Sequence, residues 1–453
     1  MSEELKEVRN PGPPIRIVHI GLGAFHKAHQ AWYTMKVDTD KQWGIAAFTG
    51  RKPDEALKLE AQDNRYTVIT RGPQKDEFEQ VSSITRAHDI DDFWQLKEYL
   101  ADPNVAILSL TITESGYLLN LNGGLDRSNS LIDEDLENLN ESDYVPHSII
   151  FKITAGLIKR YRAYGKPLAI MSCDNLSGNG VRLQAGMSEI FSYLPDDIDK
   201  WFKANVTFPS TSVDRITPKI TDADIALVKS ESGFDDSAPV VTEPFSSWII
   251  QRSFPAGRPV WEKAGVEFVD DIENFENRKL WLLNGSHSLM AYAGLTRGYS
   301  TVAEALNDKE IKALIDGFWD EASSLLTSPN LQVDAYKAAL ISRYENHRIE
   351  HKLKQIAIDG GTKLVMRVVP VALGLLNRGE MPTACALVIG EWINWLNKQD
   401  EINDTRLTEI KSAPSSEDPT TSCIALLSAK LSENPEFVSL VRNVCQKTES
   451  KSA

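Results

Sequence analysis

Residues 15–23 read IRIVHIGLG, a β-branched run cut off by two glycines one residue apart. Ile15, Ile17, Val18 and Ile20 favour extended backbone because branched side chains fit a pleated surface. Gly21 stops the run at a point suited to a tight turn, and residues 24–36 then have helical character. A strand that turns on Gly-x-Gly into a helix commits the chain to a crossover, so the next paired strand is expected to be parallel.

The turn also has a chemical use. The first glycine allows a sharp bend, and the second lets backbone approach a pyrophosphate seated at the positive end of the helix. Ile20, Gly21, Leu22, Gly23, Ala24, Phe25 and His26 are therefore the candidate dinucleotide contacts. The pattern is incomplete, since His26 stands where a third glycine is usual. Nor does an acid clearly close the second strand: Thr49 is followed by GRKPD, in which Asp54 suits a ribose hydroxyl and Arg51 equally suits a 2′-phosphate. At this level a plain structural turn explains the glycines as well.

Further strands follow at 43–49 (WGIAAFT), 105–113 (VAILSLTIT) and 167–173 (PLAIMSC), each apolar enough to be buried on both faces. The segment 65–71 (RYTVITR) alternates and reads as a half-exposed strand. Residues 93–100 and 149–164 read as helices, and the polar stretch 123–146 as a loop. Strands alternating with helices imply an α/β unit with a mostly parallel sheet. Beyond about residue 268 strand signals are sparse, and helices are expected at 277–294, 309–326, 333–343, 364–377, 384–397 and 423–430. The expected organisation is an α/β domain at 1–267 and a mainly α-helical domain at 268–453. A loop is expected at 412–422 and a frayed tail from 446.

The net charge of -15 argues against non-specific nucleic-acid binding and against adhesion to acidic membranes. No apolar run is long enough to span a bilayer, and the charged, Pro-rich first 14 residues lack a signal peptide's apolar stretch. Cys173, Cys385, Cys423 and Cys445 are scattered without a CxxC pair, which favours a reducing cytoplasm over a disulfide or thiolate-metal framework. A small molecule is the expected partner. The oligomeric state is not legible, and a monomer is compatible with the sequence.

Downstream, Lys279, Asn284 and His287 fall in the expected helix 277–294. At roughly 100° per residue, Lys279 and His287 lie about 80° apart, and Asn284 and His287 about 60° apart, on one broad face. Alcohol oxidation needs a base for the hydroxyl proton, and a lysine serves if its surroundings lower its pKa from about 10.4. An amide donates to the developing alkoxide, and an imidazole orients the hydroxyl. The plainer alternative is a solvated lysine and a hydrogen-bonded core histidine. Asp174-Asn175 follows the strand 167–173, where ligands gather in α/β sheets, although from these residues alone an Asx turn followed by a helix cap is the better explanation. HRIEH at 347–351 has the spacing of a zinc-protease motif, but so short a pattern arises readily by chance and no further ligand marks it.

Together these segments resemble the mannitol dehydrogenase family of polyol-specific long-chain dehydrogenases and reductases. The resemblance rests on HIGLGAFHKAHQAWY from His19, SLTITESGY from Ser109, MSCDNLSGNG from Met171 and FPSTSVDRITP from Phe208. VTEPFSSW from Val241, KLWLLNGSHS from Lys279 and QIAIDGGTK from Gln355 complete it. It implies a Rossmann-type N-terminal domain followed by a mainly α-helical C-terminal domain, and it makes His26 the normal residue at its position. It implies that Lys279 is the general base in oxidation and the acid in reduction, that Asn175 and Asn284 hold the alkoxide, and that His287 orients the substrate. Asp214 and Lys363 match positions that hold other hydroxyls, and Glu114 an acid on the lysine's proton route.

The implied reaction is NAD-dependent and metal-free, with NADP still open. It interconverts mannitol and fructose, or mannitol 1-phosphate and fructose 6-phosphate. Gln355 departs from the arginine of mannitol-oxidising members and matches relatives that reduce fructuronate to mannonate, as does AGRPVWEKAG from Ala256. Fructuronate reduction is therefore the alternative, ahead of a dinucleotide-binding protein without turnover.

Overall fold

Strand β1 (Ile15–Ile20) is flanked on both sides by strands as apolar as itself in the computed structural model, and it sits inside a six-stranded sheet. The others are β2 (Gly44–Phe48), β5 (Ile84–His88), β6 (Ile107–Leu110), β7 (Leu168–Ser172) and β8 (Val206–Thr207). Their order is β5-β2-β1-β6-β7-β8, and every pairing is parallel. The chain builds outward from β1 through β2 to β5, then returns to lay β6 on the other flank of β1. The carboxyl ends of β1 and β6 thus frame a topological switch point, where α/β sheets leave a crevice.

The structure describes residues 12–120, 123–141, 143–399, 403–412 and 417–452. It divides into two units, Met1–Glu273 and Asn274–Ala453. In the first, alternate residues of β1 face opposite layers. Val18 and Ile20 pack with Leu108, Ile170 and the helix Ile149–Ala163, while Ile17 packs with Ile107, Met171, Ala28 and Tyr33. Both faces are covered, which is why the strands carry few polar residues.

One buried cation fixes the amino-terminal side of this sheet. Arg160, with no exposed surface, donates to five carbonyls. Nε reaches Lys166 O (2.7 Å), Nη1 reaches Leu100 O (3.0 Å) and Asp102 O (2.9 Å), and Nη2 reaches Val105 O (2.9 Å) and Pro167 O (2.8 Å). These acceptors cap the helix Phe93–Ala101 and the approaches to β6 and β7. All five guanidinium donors are used, so the charge is buried with its hydrogen-bonding capacity filled. Burial nonetheless pushes its pKa down to about 10.

Several expectations need correction. The segment 65–71 is not half-exposed: β3 (Tyr66–Arg71) is the middle strand of a second sheet, between β4 (Asp76–Val81) and β10 (Val240–Thr242). Val68 and Ile69 enter separate apolar clusters, so both faces are covered. A third sheet holds β9 (Thr211–Asp214), β11 (Ser247–Gln251) and β12 (Glu267–Val269). The stretch 123–146 contains a helix, Ser130–Glu137, whose buried Asp135 accepts from Tyr144 Oη, His147 N, Ser148 N and Ser148 Oγ. The helix expected at 364–377 is two, Gly360–Arg367 and Val369–Asn377, because Pro370 lacks the N–H needed to continue the first. Part of the loop expected at 412–422 is a helix, Pro419–Leu427, capped by Asp418, while residues 413–416 lie outside the described residues. The last helix runs Pro435–Ser452, past the point where fraying is expected.

The second unit is built on the helix Ser286–Thr296, whose residues are buried continuously from Ser286 to Gly294. A helix apolar all round must be surrounded. It packs against Val302–Leu306, Lys309–Leu325, Leu353–Ile356 and Thr383–Leu396.

Arg160→Met would leave five carbonyls without their donor in a closed interior. The loss should reach at least about 4 kcal/mol, read as a lower urea midpoint with an unchanged slope. A midpoint equal to that of the parent chain would show that the clamp does not carry the sheet.

Candidate active site

Gly21 has φ +109, and a Cβ there would lie 2.1 Å from Thr111 O, so only glycine fits. The turn is stitched to both neighbouring strands. Gly21 N and Leu22 N donate to Phe48 O (2.9 and 2.8 Å), and Thr111 Oγ1 donates to Gly21 O (2.9 Å). Gly23 differs: its backbone is extended, and the nearest neighbour of an added Cβ is Gly21 O at 3.7 Å. The helix that starts at Ala24 has no side-chain cap. An uncapped helix start with open space at Gly23 suits a phosphate group, so the residues present fit a dinucleotide.

His26, in the third-glycine position, is buried and stacks on His19 with ring centroids 3.4 Å apart and planes 10° apart. Thr111 gives its proton to Gly21 O, so it receives one from His19 Nε2 (3.0 Å), while His19 Nδ1 accepts from Ser109 Oγ (2.9 Å). Burial pushes the His19 pKa down to about 3 and holds His26 well below the usual range. The pair is therefore a neutral spacer between helix and sheet. Arg51, Lys52 and Asp54 are exposed after β2, with Asp54 opening the helix Asp54–Ala61.

At the ends of β6 and β7 the geometry centres on Asp174, which is 9% exposed. Its carboxylate accepts from Thr113 N (2.8 Å), Ile112 N (3.2 Å) and Tyr117 Oη (2.6 Å). Thr113 has φ +67 and ψ 161, a conformation open almost only to glycine and costing about 1–3 kcal/mol. Glu114 follows it and is exposed, as is Asn175 beside Asp174. Glu114, Tyr117, Asn120, Leu176, Asn179 and Arg182 line a cavity of about 30 Å³, room for about one water. Asp214 ends β9, half-buried and paired with Ser247.

In the second unit, the helix expected at 277–294 is interrupted. It runs α-helical over Glu273–Arg278, widens to a π-helix over Lys279–Gly285, and resumes as Ser286–Thr296. An α-helix splays residues five apart by about 140°, whereas a turn closed by i→i+5 bonds nearly aligns them. Lys279 and Asn284 are such a pair, so the π turn brings them closer in direction than α-helical spacing allows. Side chains serve its carbonyls: Trp319 Nε1 donates to Leu282 O (2.8 Å) and Arg367 Nη1 to Asn284 O (3.3 Å). Asn284 Oδ1 and His287 Nε2 are buried without a hydrogen-bond partner. His287 is 7% exposed, against Tyr344 and His351 at ring distances of 5.0 and 4.8 Å. Burial, then His351, Arg343 and Arg367, hold it neutral.

Lys363 is half-buried and donates to Ile356 O (3.0 Å). Burial, then Arg367, push its pKa down to about 8. Gln355 is exposed on the short helix Leu353–Ile356. This unit thus gathers Lys279, Asn284 and His287 on one helix, with Arg367 tying the helix that carries Lys363 to it. Glu114, Asn175 and Asp214 belong to the first unit. The sequence marks Arg367 only as one of several basic residues, with Arg215 and Lys354, that could face a substrate phosphate; its place four residues after Lys363 puts the two on one helix face. Sequence reasoning also took Asp174 for turn chemistry, and nothing in the sequence signals the strain at Thr113. The HRIEH pattern falls on turns after the helix Val333–Tyr344, with His347 exposed, so its histidines do not share a helix face. No group of His, Cys, Asp or Glu suited to a metal occurs among the described residues.

A parallel sheet with a glycine turn at its switch point defines a Rossmann-type dinucleotide-binding protein. The particular lineage is equally plain: the chain belongs to the mannitol dehydrogenase family of oxidoreductases. Its residues 15–263 match the mannitol dehydrogenase Rossmann domain, and residues 271–449 match the mannitol dehydrogenase C-terminal domain. It is 36% identical to the D-mannonate oxidoreductase of Escherichia coli over 85% of this chain and 81% of that protein. It is 34% identical to the mannitol 2-dehydrogenase of Emericella nidulans over 89% and 84% of the two chains. Among solved structures, Pseudomonas fluorescens mannitol 2-dehydrogenase, in ternary complex with NAD and D-mannitol, superposes with a TM-score of 0.81 at 32% identity, covering 97% of this chain and 92% of that one. No helix among the described residues is long and apolar enough to cross a membrane.

The two glycines should separate experimentally. Gly21→Ala should destabilise the fold by roughly 3 kcal/mol, through strain and backbone collision. Gly23→Ala should keep the parent's melting temperature within about 2 °C, yet weaken NAD binding at least tenfold by calorimetry. Undiminished NAD affinity in Gly23→Ala would remove the turn from the cofactor site.

Proposed function

We propose that the chain is an NAD-dependent dehydrogenase that interconverts an acyclic mannitol-configured polyol, mannitol or mannitol 1-phosphate, and the matching ketose, fructose or fructose 6-phosphate. In this reading residues 1–267 hold the dinucleotide through Ile20–His26, and residues 268–453 supply the catalytic lysine. NADP stays open, because Arg51 and Asp54 both follow β2. The buried thiols Cys173, Cys385 and Cys423 suit a reducing cytoplasm.

The observation that carries the reading is the pair of unpartnered buried atoms, Asn284 Oδ1 and His287 Nε2, on the helix of Lys279. Buried polar atoms are normally paired, so two left open on the helix that carries a lysine suit a ligand rich in hydroxyls. When bound, NAD supplies the oxidising power, taking up the hydrogen and two electrons that leave the carbinol carbon. Lys279 takes the hydroxyl proton in oxidation and returns it in reduction. The side-chain amides of Asn284 and Asn175 donate to the oxygen as it gains negative charge. His287, held neutral, orients the reacting hydroxyl, while Asp214 and Lys363 hold others and Glu114 relays the lysine's proton.

A panel of polyols, polyol phosphates and hexuronates, followed by NADH absorbance, tests this. Lys279→Ala should lower kcat about 10³-fold with NAD affinity nearly unchanged. A parent chain inert on the whole panel with both nicotinamide cofactors, or a fully active Lys279→Ala, would sink the proposal.

Gln355 favours a second substrate reading, mannonate and fructuronate, and the 36% identical relative carries a name of that class. The two readings part with pH. Lys363 loses its charge as pH rises through about 8, which removes a partner of a carboxylate but not of a neutral polyol. If mannonate is the substrate, its kcat/KM should fall relative to that of mannitol between pH 7 and 9. A constant ratio would count against Lys363 as the carboxylate's partner.

A further inference from the structure

We infer that Asp174 is a positioning residue for the reaction, because it fastens the strained loop after β6 to the loop after β7. The inference rests on the roles given above to Glu114 and Asn175. Asp174 sits between them in space. Through Ile112 N and Thr113 N it holds the backbone immediately before Glu114, and through the chain it immediately precedes Asn175.

The attachment is built from both sides. Tyr117 Oη lies 2.6 Å from the Asp174 carboxylate and 2.8 Å from Ser172 Oγ, so the far end of the Glu114–Tyr117 turn is tied to β7 as well. The Asp174 carbonyl accepts from Asn179 Nδ2 (3.1 Å), which also donates to Thr211 O (2.8 Å), and Asn179 Oδ1 accepts from Thr211 N (2.9 Å). The loop after β7 is thereby braced against the strand that ends in Asp214. Three candidate groups, Glu114, Asn175 and Asp214, hang from one hydrogen-bonded frame with Asp174 at its centre.

Strain explains why an anion is needed. Thr113 sits where only glycine rests easily, and such a conformation persists only when its surroundings over-determine it. Two successive N–H groups directed at one carboxylate supply that hold, since an ionised acceptor makes the stronger hydrogen bonds. An amide at 174 offers one acceptor where the carboxylate offers two, and it turns an N–H toward the remaining donors. The loop would relax, and Glu114 and Asn175 would leave their places together.

Asp174→Asn should lower kcat about 10²-fold, the scale of a displacement near 1 Å, while the affinity for NAD stays within about threefold. Thr113→Gly in the same chain should recover about tenfold of the loss, because glycine holds the same backbone angles without strain. Hydrogen exchange at the Ile112 and Thr113 amides should quicken at least tenfold in Asp174→Asn, whatever substrate the enzyme proves to use. Should Asp174→Asn not fold, Tyr117→Phe removes one donor alone and should lower kcat about tenfold. Unchanged amide protection, an equal loss in NAD affinity and kcat, or no recovery with Thr113→Gly would overturn the inference. Quickened exchange in a chain inert on every substrate would instead overturn the proposed function and leave the attachment standing.

Discussion

The convergence of five carbonyl oxygens on the Arg160 guanidinium is the constraint from which the first unit takes its order. Leu100, Asp102 and Val105 lie in one segment and Lys166 and Pro167 in another about 60 residues on, yet each must present its oxygen to one planar group. That fixes where β6 and β7 begin. Because both run parallel to β1, fixing their starts fixes how far their ends extend past Gly21. At that opposite edge, Thr111 meets the glycine turn and Asp174 meets Thr113. A hydrogen-bonded charge on one side of the sheet therefore sets the register of polar groups on the other.

The parts of the fold that were legible in the sequence are those where local preference and burial agree. Ile15–Gly23, Val105–Thr113 and Pro167–Cys173 read as strands because branched apolar residues serve both the extended backbone and a two-sided core. Where the environment overrides the local pattern, the reading fails. Tyr66–Arg71 alternates like a half-exposed strand, but the apolar partners on its second face come from residues more than 150 positions away. Ser130–Glu137 hides in a polar stretch because its anchor is an acid, Asp135, satisfied by donors that follow it in the chain. Pro370 was a legible break whose meaning the apolar run around it obscured.

The candidate site was legible as a set of residues and not as an arrangement. Lys279, Asn284 and His287 stand out by type, but α-helical spacing misplaces them, since the π turn depends on donors from Trp319 and Arg367 on other helices. The His19–His26 stack shows the reverse case. Sequence read as a defect what is a working contact, because two neutral rings at van der Waals distance fill the space between helix and sheet. Overall charge was equally uninformative about local charge: a chain of net -15 holds Lys363 beside Arg367 in a setting where burial and then Arg367 lower the lysine's pKa.

Each half of the candidate machinery contains one widened turn, Lys27–Ala31 in the first unit and Lys279–Gly285 in the second. A π turn accommodates one residue more than the α-helix it interrupts, so its existence is a matter of chain length before it is a matter of side chains. Exchanging a residue within it leaves the count intact. Deleting one from the second turn would let the α-helix close with its flanks nearly in phase, but would remove the widening that leaves Leu282 O and Asn284 O to Trp319 and Arg367. The reading frame of these two helices is thus itself a functional property. Positions of these turns other than Lys27, Lys279 and Asn284 should tolerate exchange of one residue for another more readily than a change in residue number, which surface loops absorb.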